Sequence, residues 1–234
     1  MKKLLGVLSF LVLTACTEHN VGVVGNKRMQ ISGNIVDTGN RPLENIHIIA
    51  SGSENSILDA RPEELLGEGF ANAAGEFSFV SLDTDNSFYG ISINHPDHEK
   101  YNEAYATVHF LDSIGSRGNA FKFVDVELYK TQRFELKIEN TTANNDTLFY
   151  EVSFPITENY QGFNGNSLDE NSFLFRSEIE IRNRMLPGEE EIILERKTLE
   201  NSTIQFKYKF SAQAVYDTIN VEITPENSVY EFSY

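Results

Sequence analysis

The feature that most constrains the fold is an alternation of apolar and polar residues with a period of two. In one clear example, Phe134, Leu136 and Ile138 alternate with charged side chains. Successive side chains of a β-strand point to opposite faces, so this pattern is typical of strands that bury one face. Short clusters of Gly, Asn, Asp and Pro interrupt the alternation and are typical of turns. With no convincing long helix, the sequence predicts an all-β protein.

The predicted strands fall into two groups, each large enough for a β-sandwich. The first group lies at residues 28–36, 44–50, 65–71, 76–80, 87–94, 103–110 and 121–129. The second group lies around residues 134–139, 148–154, 173–182, 192–194, 204–210, 215–223 and 230–234. We therefore predict two tandem β-sandwiches, residues 28–130 and residues 131–234, the second immunoglobulin-like or related.

Residues 30–108 resemble the carboxypeptidase-regulatory-like domain. Segment 31–37 follows that family's I-x-G-x-V-x-D pattern, and segment 41–48 carries its P-L pair before the second strand. Segment 75–79 matches G-x-F-x-F, and segment 88–93 resembles the later Y-x-L-x-V strand. The resemblance implies a transthyretin-like β-sandwich that serves as an accessory module without an active site.

The glycines and the proline of this region have structural roles in our interpretation. Gly33 allows neighbouring groups to approach a strand closely, and Gly75 supplies a positive φ in a tight turn. Pro42 fixes φ where the chain returns. The sequence departs from the family in two places: segment 95–101 lacks the glycine of the family's G-Y turn, and segment 53–64 is a long insertion.

The N-terminus has the pattern of an export signal. Lys2 and Lys3 precede an apolar run, Leu4–Leu13, which is about half of the ~20 residues that span a bilayer. The run ends in Leu13–Cys16, Leu-Thr-Ala-Cys, which resembles the lipobox of bacterial lipoproteins. That resemblance implies cleavage before Cys16, a diacylglycerol on its thiol and acylation of its new amino group. The alternative is an ordinary secretory signal in which the cysteine stands by chance.

The lipoprotein interpretation divides the N-terminus into a signal peptide, residues 1–15, and a lipidated tether, residues 16–27. Thr17 follows the cysteine, which by resemblance to other lipoproteins favours the outer membrane. Loss of Lys2 and Lys3 leaves 17 of the 19 basic residues against 35 acidic ones, so the formal charge changes from −16 to −18. Anionic headgroups repel such a body. We therefore expect the membrane contact to be the lipid on Cys16.

Composition excludes several classes of function. A formal charge of −16 argues against nucleic-acid binding, which needs basic residues to neutralise phosphates. A single cysteine excludes an intramolecular disulfide and a cysteine-based zinc cage. The chain has no G-x-S-x-G, no phosphate-binding loop and no H-E-x-x-H. We predict that it is not an enzyme; a hydrolase, which would need two carboxylates facing each other across a cleft, is a remote alternative.

Two polar turns contain metal-ligand types, but neither makes a convincing site. His95, Asp97 and His98 are weak candidates, and a solvated polar loop explains them as well. Segment 83–87 begins like a calcium loop, yet Phe88 and Asn94 stand where an EF-hand needs Gly and Glu. We predict no cofactor and no metal, leaving only a weak calcium site open.

Segment 157–171 is the longest predicted loop of the second half and has a Gly- and Asn-rich tip. Loops of this length are uncommon and often functional. Tyr160 and Phe163 are therefore candidate contacts to a glycan or a protein. In the alternative interpretation, both rings fold back over the edge of the sandwich.

Three short D-[ST]-apolar runs match an O-glycosylation pattern of one group of Gram-negative bacteria. They would place sugar on Ser113, Thr147 and Thr218.

These features predict a lipoprotein anchored in the outer membrane that acts as a non-catalytic binding or scaffold module. Its partners would be the membrane, through lipidated Cys16, and a protein or glycan of the envelope. An exposed sheet edge could add a partner's strand, and the acidic surface would favour basic or calcium-bridged partners. The alternative is a glycan-binding surface lipoprotein that uses loop 157–171. The sequence leaves the oligomeric state open.

Overall fold

The computed structural model describes residues 22–53, 64–84, 88–113, 118–141, 146–163 and 177–234. Within these ranges every element of regular secondary structure is a β-strand, which confirms the predicted all-β class. The described part of the chain contains no helix of the length and hydropathy that a membrane span requires. Residues 1–21, including Cys16, lie outside the described ranges, as does most of the insertion at 53–64.

Fifteen strands are present in the described residues. In the first half they are β1 (Val23–Asp37), β2 (His47–Ser53), β3 (Glu64–Phe70), β4 (Glu76–Thr84), β5 (Phe88–Ile93), β6 (Thr107–Ser113) and β7 (Ala120–Leu128). In the second half they are β8 (Thr131–Glu139), β9 (Leu148–Pro155), β10 (Glu158–Gly162), β11 (Glu178–Met185), β12 (Glu191–Leu199), β13 (Ser202–Lys209), β14 (Asp217–Ile223) and β15 (Val229–Ser233).

The first sandwich packs a three-stranded sheet, β4-β1-β7, against a five-stranded sheet, β10-β6-β5-β2-β3. Both sheets contribute to one apolar core, in which Ile31 and Ile35 of β1 meet Ile48, Ile91 and other side chains of the second sheet. Their alternation along each strand is the period-two pattern of the sequence. The strand pattern of the first half is therefore confirmed.

The second sandwich packs a four-stranded sheet, β11-β9-β13-β14, against a three-stranded sheet, β12-β8-β15. Its core is separate from the first and includes Phe134, Leu136, Val152, Ile204 and Phe206. The last strand, β15, pairs in parallel with β8 and so returns the end of the chain to the start of this sandwich.

Strand β10 corrects the interpretation of residues 157–171 as a continuous loop. Glu158–Gly162 pairs in parallel with Thr107–Leu111 of β6, so the second half of the chain supplies the edge strand of a first-half sheet. The backbone N–H of Thr107 also donates to the carbonyl of Thr157 over 2.8 Å. Residues 164–176, including the rest of the predicted loop, lie outside the described ranges.

The start of β1 corrects the extent of the predicted tether. β1 begins at Val23, which pairs with Thr84, whereas the sequence places residues 16–27 before the first strand. Lys27 forms an ion pair of 2.6 Å with Asp83, which is almost fully buried. A buried carboxylate needs such a partner, so the segment that carries Lys27 joins the sheet.

Two glycines have the predicted structural roles. A Cβ on Gly33 would lie 2.6 Å from the carbonyl oxygen of Phe123 and 2.8 Å from the ring of Phe77. Gly75 has a φ of 76°, in the left-handed region that favours glycine. Both positions therefore require the absence of a side chain.

Candidate functional site

A cleft of about 780 Å³ lies where the two halves of the chain meet. Asn159 and Gln161 of β10 line the cleft, with Phe163 just beyond the end of that strand. β7 lines it from Lys122 to Glu127, β6 contributes Val108 and Phe110, and the second half contributes further residues, among them Pro155 and Leu199. Because β7 and β10 are both terminal strands of their sheets, the cleft runs between two sheet edges.

The walls of this cleft combine amides, charges and rings. Asn159 and Gln161 contribute amides, and β7 contributes Lys122 and Glu127, with Tyr129 just beyond its end. Such a mixture of apolar surface and a few polar groups is typical of binding clefts. It suits an extended polar ligand better than a small apolar one.

Asp125, also in the cleft wall, is held in place by Asn34. Its backbone N–H donates to Asn34 Oδ1 over 3.1 Å, and Asn34 Nδ2 donates to its carboxylate. Asp125 has a φ of 50° and lies at an irregularity in the pairing of β1 with β7. This carboxylate is therefore occupied in positioning the β7 bulge.

The two predicted ligand-contacting rings lie on different surfaces. Phe163 packs against the core of the first sandwich, with its ring centroid 4.3 Å from that of Phe121 and 6.0 Å from that of Tyr89. Tyr160 stacks on His109, with centroids 4.6 Å apart and planes 20° apart. The two rings therefore do not form a single stacking platform, and Phe163 follows the alternative in which the ring folds back over the sandwich.

The other face of β10 belongs to a cluster of polar side chains on the outer face of the five-stranded sheet. His109 Nδ1 is 2.7 Å from the Ser92 hydroxyl, and His109 Nε2 is 3.7 Å from the Glu158 carboxylate. The His109 imidazole lowers the pKa of Glu158, against the opposing effect of burial. His95, in the turn after β5, meets the His109 ring edge-on at 5.7 Å.

A second histidine–carboxylate group lies on the same sheet, on β2 and β3. His47 Nε2 is 3.0 Å from Glu68 Oε2, and His98 Nε2 is 3.9 Å from the same oxygen. The rings of His47 and His98 stack with centroids 3.5 Å apart. His47 is fully buried, and burial lowers its pKa even though Glu68 favours the charged form.

The structure separates the three weak metal candidates of the sequence. His98 joins His47 and Glu68, and His95 lies against His109. Asp97 is exposed, and its backbone N–H donates to His95 Nδ1 over 3.2 Å. Among the described residues, His47, Glu68 and His98 bring three ligand atoms within 4.8 Å of one another. The sequence search missed His47 and Glu68, which are isolated polar residues on two different strands.

No family model matches the chain, and no curated protein matches it. The Bacillus anthracis TIE protein is 13% identical over 89% of this chain and 34% of that chain, with a TM-score of 0.33. The shaft pilin SpaA of Lactobacillus rhamnosus GG, an E269A/D295N double mutant, is 10% identical over 88% of this chain and 96% of that chain, with a TM-score of 0.31. A streptococcal ancillary pilin is 8% identical over 90% of this chain and 63% of that chain, with a TM-score of 0.30. These values are too low to carry an argument about function.

The remaining predicted sites are dispersed. Thr218 is exposed on β14 and Thr147 is partly exposed before β9, whereas the Ser113 side chain lies outside the described part. In the predicted calcium turn, Asp83 is engaged by Lys27 and by the Thr84 N–H. Glycosylation and calcium binding stay predictions.

Proposed function

We propose that the chain is a non-catalytic binding module of the cell envelope, anchored through Cys16, whose ligand occupies the cleft between β7 and β10. The observation that carries the proposal is the cleft itself: about 780 Å³ between two terminal strands, at the junction of the two halves. The family resemblance of residues 30–108 supports a module without an active site.

The first ligand class is an extended segment of a partner protein. Terminal strands present unpaired backbone N–H and C=O groups, to which an extended peptide can add as a further strand. The amides of Asn159 and Gln161 would bond the segment's backbone from the side. The surplus of acidic over basic residues, 35 against 19, favours a basic segment.

The experiment is a pulldown from detergent-treated envelope with the wild type, the double variant Asn159→Ala/Gln161→Ala and the control Gln213→Ala. Gln213 is exposed and stands outside the cleft wall, so its removal tests the loss of an amide without a change in the cleft. Wild type and Gln213→Ala are expected to recover the same partner, and the double variant is expected to lose it. Recovery of no partner by the wild type, or equal recovery by all three, would contradict the proposal.

A glycan is the second ligand class, favoured by one observation. Tyr129, which is about half exposed, lines the same cleft as the amides of Asn159 and Gln161. Aromatic faces and amides are groups that bind sugar rings and hydroxyls. Envelope polysaccharide that binds wild type and loses affinity in Tyr129→Ala and Asn159→Ala/Gln161→Ala would assign the cleft to glycan; unchanged affinity in both variants would exclude this assignment.

The anchor has its own test. Two or more acyl chains give stable membrane attachment, so wild type is expected in the membrane fraction with a lipid-sized increase in intact mass. Cys16→Ala is expected to lose both. A soluble wild type with no added mass would refute the lipoprotein interpretation and would leave the cleft proposal intact.

A further inference from the structure

We propose that His47, Glu68 and His98 bind one Zn²⁺ ion on the outer face of the five-stranded sheet. One ligand atom from each residue lies within 4.8 Å of the others. Two imidazoles and a carboxylate are a ligand set that Zn²⁺ uses in proteins, with further positions left for water. The inference is independent of the anchor and of the cleft.

Two of the three ligands are fixed by strand pairing. His47 and Ile49 lie on the same side of β2, and Glu68 on β3 is the partner of Ile49, so the Glu68 side chain lies diagonally beside His47. Their closest nitrogen and oxygen are 3.0 Å apart. In a tetrahedral site with bonds of about 2.0–2.1 Å, neighbouring ligand atoms are about 3.3 Å apart. The sheet therefore holds this pair close to the spacing that the ion needs.

The buried His47 ring also has an unsatisfied nitrogen. His47 is 0% exposed, and its Nδ1 atom has no hydrogen-bond partner in the described part of the chain. Buried polar atoms are nearly always partnered, and an exception needs an explanation such as a water or an ion. Glu68 contacts Nε2, which is the nitrogen that would coordinate Zn²⁺, whereas Nδ1 lies on the other edge of the ring, so the unpartnered atom is not itself a ligand of the proposed ion.

His98 is the adjustable ligand. Its ring is stacked on that of His47 with planes 26° apart, so the in-plane lone pairs of the two rings run almost side by side. Its Nδ1 accepts the Lys100 N–H over 3.0 Å, which leaves the proton on Nε2 in the neutral ring. Coordination through Nε2 requires His98 to rotate and release the Lys100 N–H. Its position on a turn, with a side chain 25% exposed, permits this movement.

The test is calorimetry with zinc chloride alone, on full chains purified without a polyhistidine tag. Every protein in this test, including the reference that is called wild type here, carries Cys16→Ala, so that the thiol cannot bind the ion. Wild type is expected to bind one Zn²⁺ per chain, and His98→Ala and Glu68→Gln are each expected to weaken binding at least tenfold. Both side chains are partly or well exposed, so the variants are expected to fold, which circular dichroism checks.

Glu158→Gln is the matched control. It changes a carboxylate that also stands beside a histidine on this sheet face but belongs to no group of three ligand atoms within 4.8 Å of one another among the described residues. It is expected to bind Zn²⁺ as wild type does, and the Lys100 amide resonance is expected to shift on binding. Three results would overturn the proposal: no Zn²⁺ binding by wild type, binding by His98→Ala and Glu68→Gln as tight as that of wild type, or a loss of affinity in Glu158→Gln as large as in those two variants.

Discussion

Replacement of Phe163 by alanine tests whether the second half of the chain completes the core of the first. The ring stacks on Phe121 with a centroid distance of 4.3 Å and lies 6.4 Å from Phe123, but it is only partly buried. A fully buried Phe→Ala change costs about 3–5 kcal/mol, so we expect a loss of about 2 kcal/mol here. In a chain of this length, this corresponds to a melting temperature lower by about 4–8 °C.

The assay is thermal unfolding followed by far-ultraviolet circular dichroism, since the chain has no tryptophan. Val124→Ala is the control, because Val124 lies on β7 near the same core but is 67% exposed. Its melting temperature is expected to change by less than that of Phe163→Ala. Unchanged stability in Phe163→Ala would refute the packing argument and would restore the interpretation of this ring as a free ligand contact.

Two further substitutions test single features of the first sandwich. Gly33→Ala places a methyl group against the Phe123 carbonyl and is expected to cost about 2 kcal/mol, whereas Gly25→Ala, which meets no atom within 4 Å, is expected to be nearly neutral in the same thermal assay. The side-chain and backbone hydrogen bonds of Arg41 lower the pKa of Asp37 from 3.8 to about 2. A lowered pKa in the folded state stabilises it above the unfolded pKa, and this contribution is lost as pH falls through the folded value. The melting temperature of wild type is therefore expected to decrease more between pH 4 and pH 2 than that of Asp37→Asn; equal decreases would contradict this assignment.

The sequence predicted the fold well because strand patterns are local. Side chains such as Phe134, Leu136 and Ile138 alternate in the sequence and are buried in the structure for the same geometric reason. The tight contacts of Gly33 and the positive φ of Gly75 were predictable for a similar reason, because glycine is the residue that such positions favour and it is visible in the local sequence.

Strand β10 and the His47 group could not be predicted in this way. The five residues of β10 lie among Gly and Asn and pair with a strand about fifty positions earlier, so nothing in the segment itself specifies the partner. His47 and Glu68 come together only through the β2–β3 register. The insertion between these strands removes the short turn that would have fixed that register from sequence.

The pairing of β10 with β6 also predicts how a fragment of residues 22–130, which keeps the whole of β1, will behave. Without β10, β6 becomes a terminal strand with unpaired backbone groups, and the first core loses Phe163. Exposed edges of this kind pair with other chains, so the fragment is expected to be less stable than the full chain and to self-associate. Analytical ultracentrifugation and thermal unfolding check both points. A monomeric fragment that melts at the temperature of the full chain would show that the first sandwich does not need β10, and residue 130 would then be a true domain boundary.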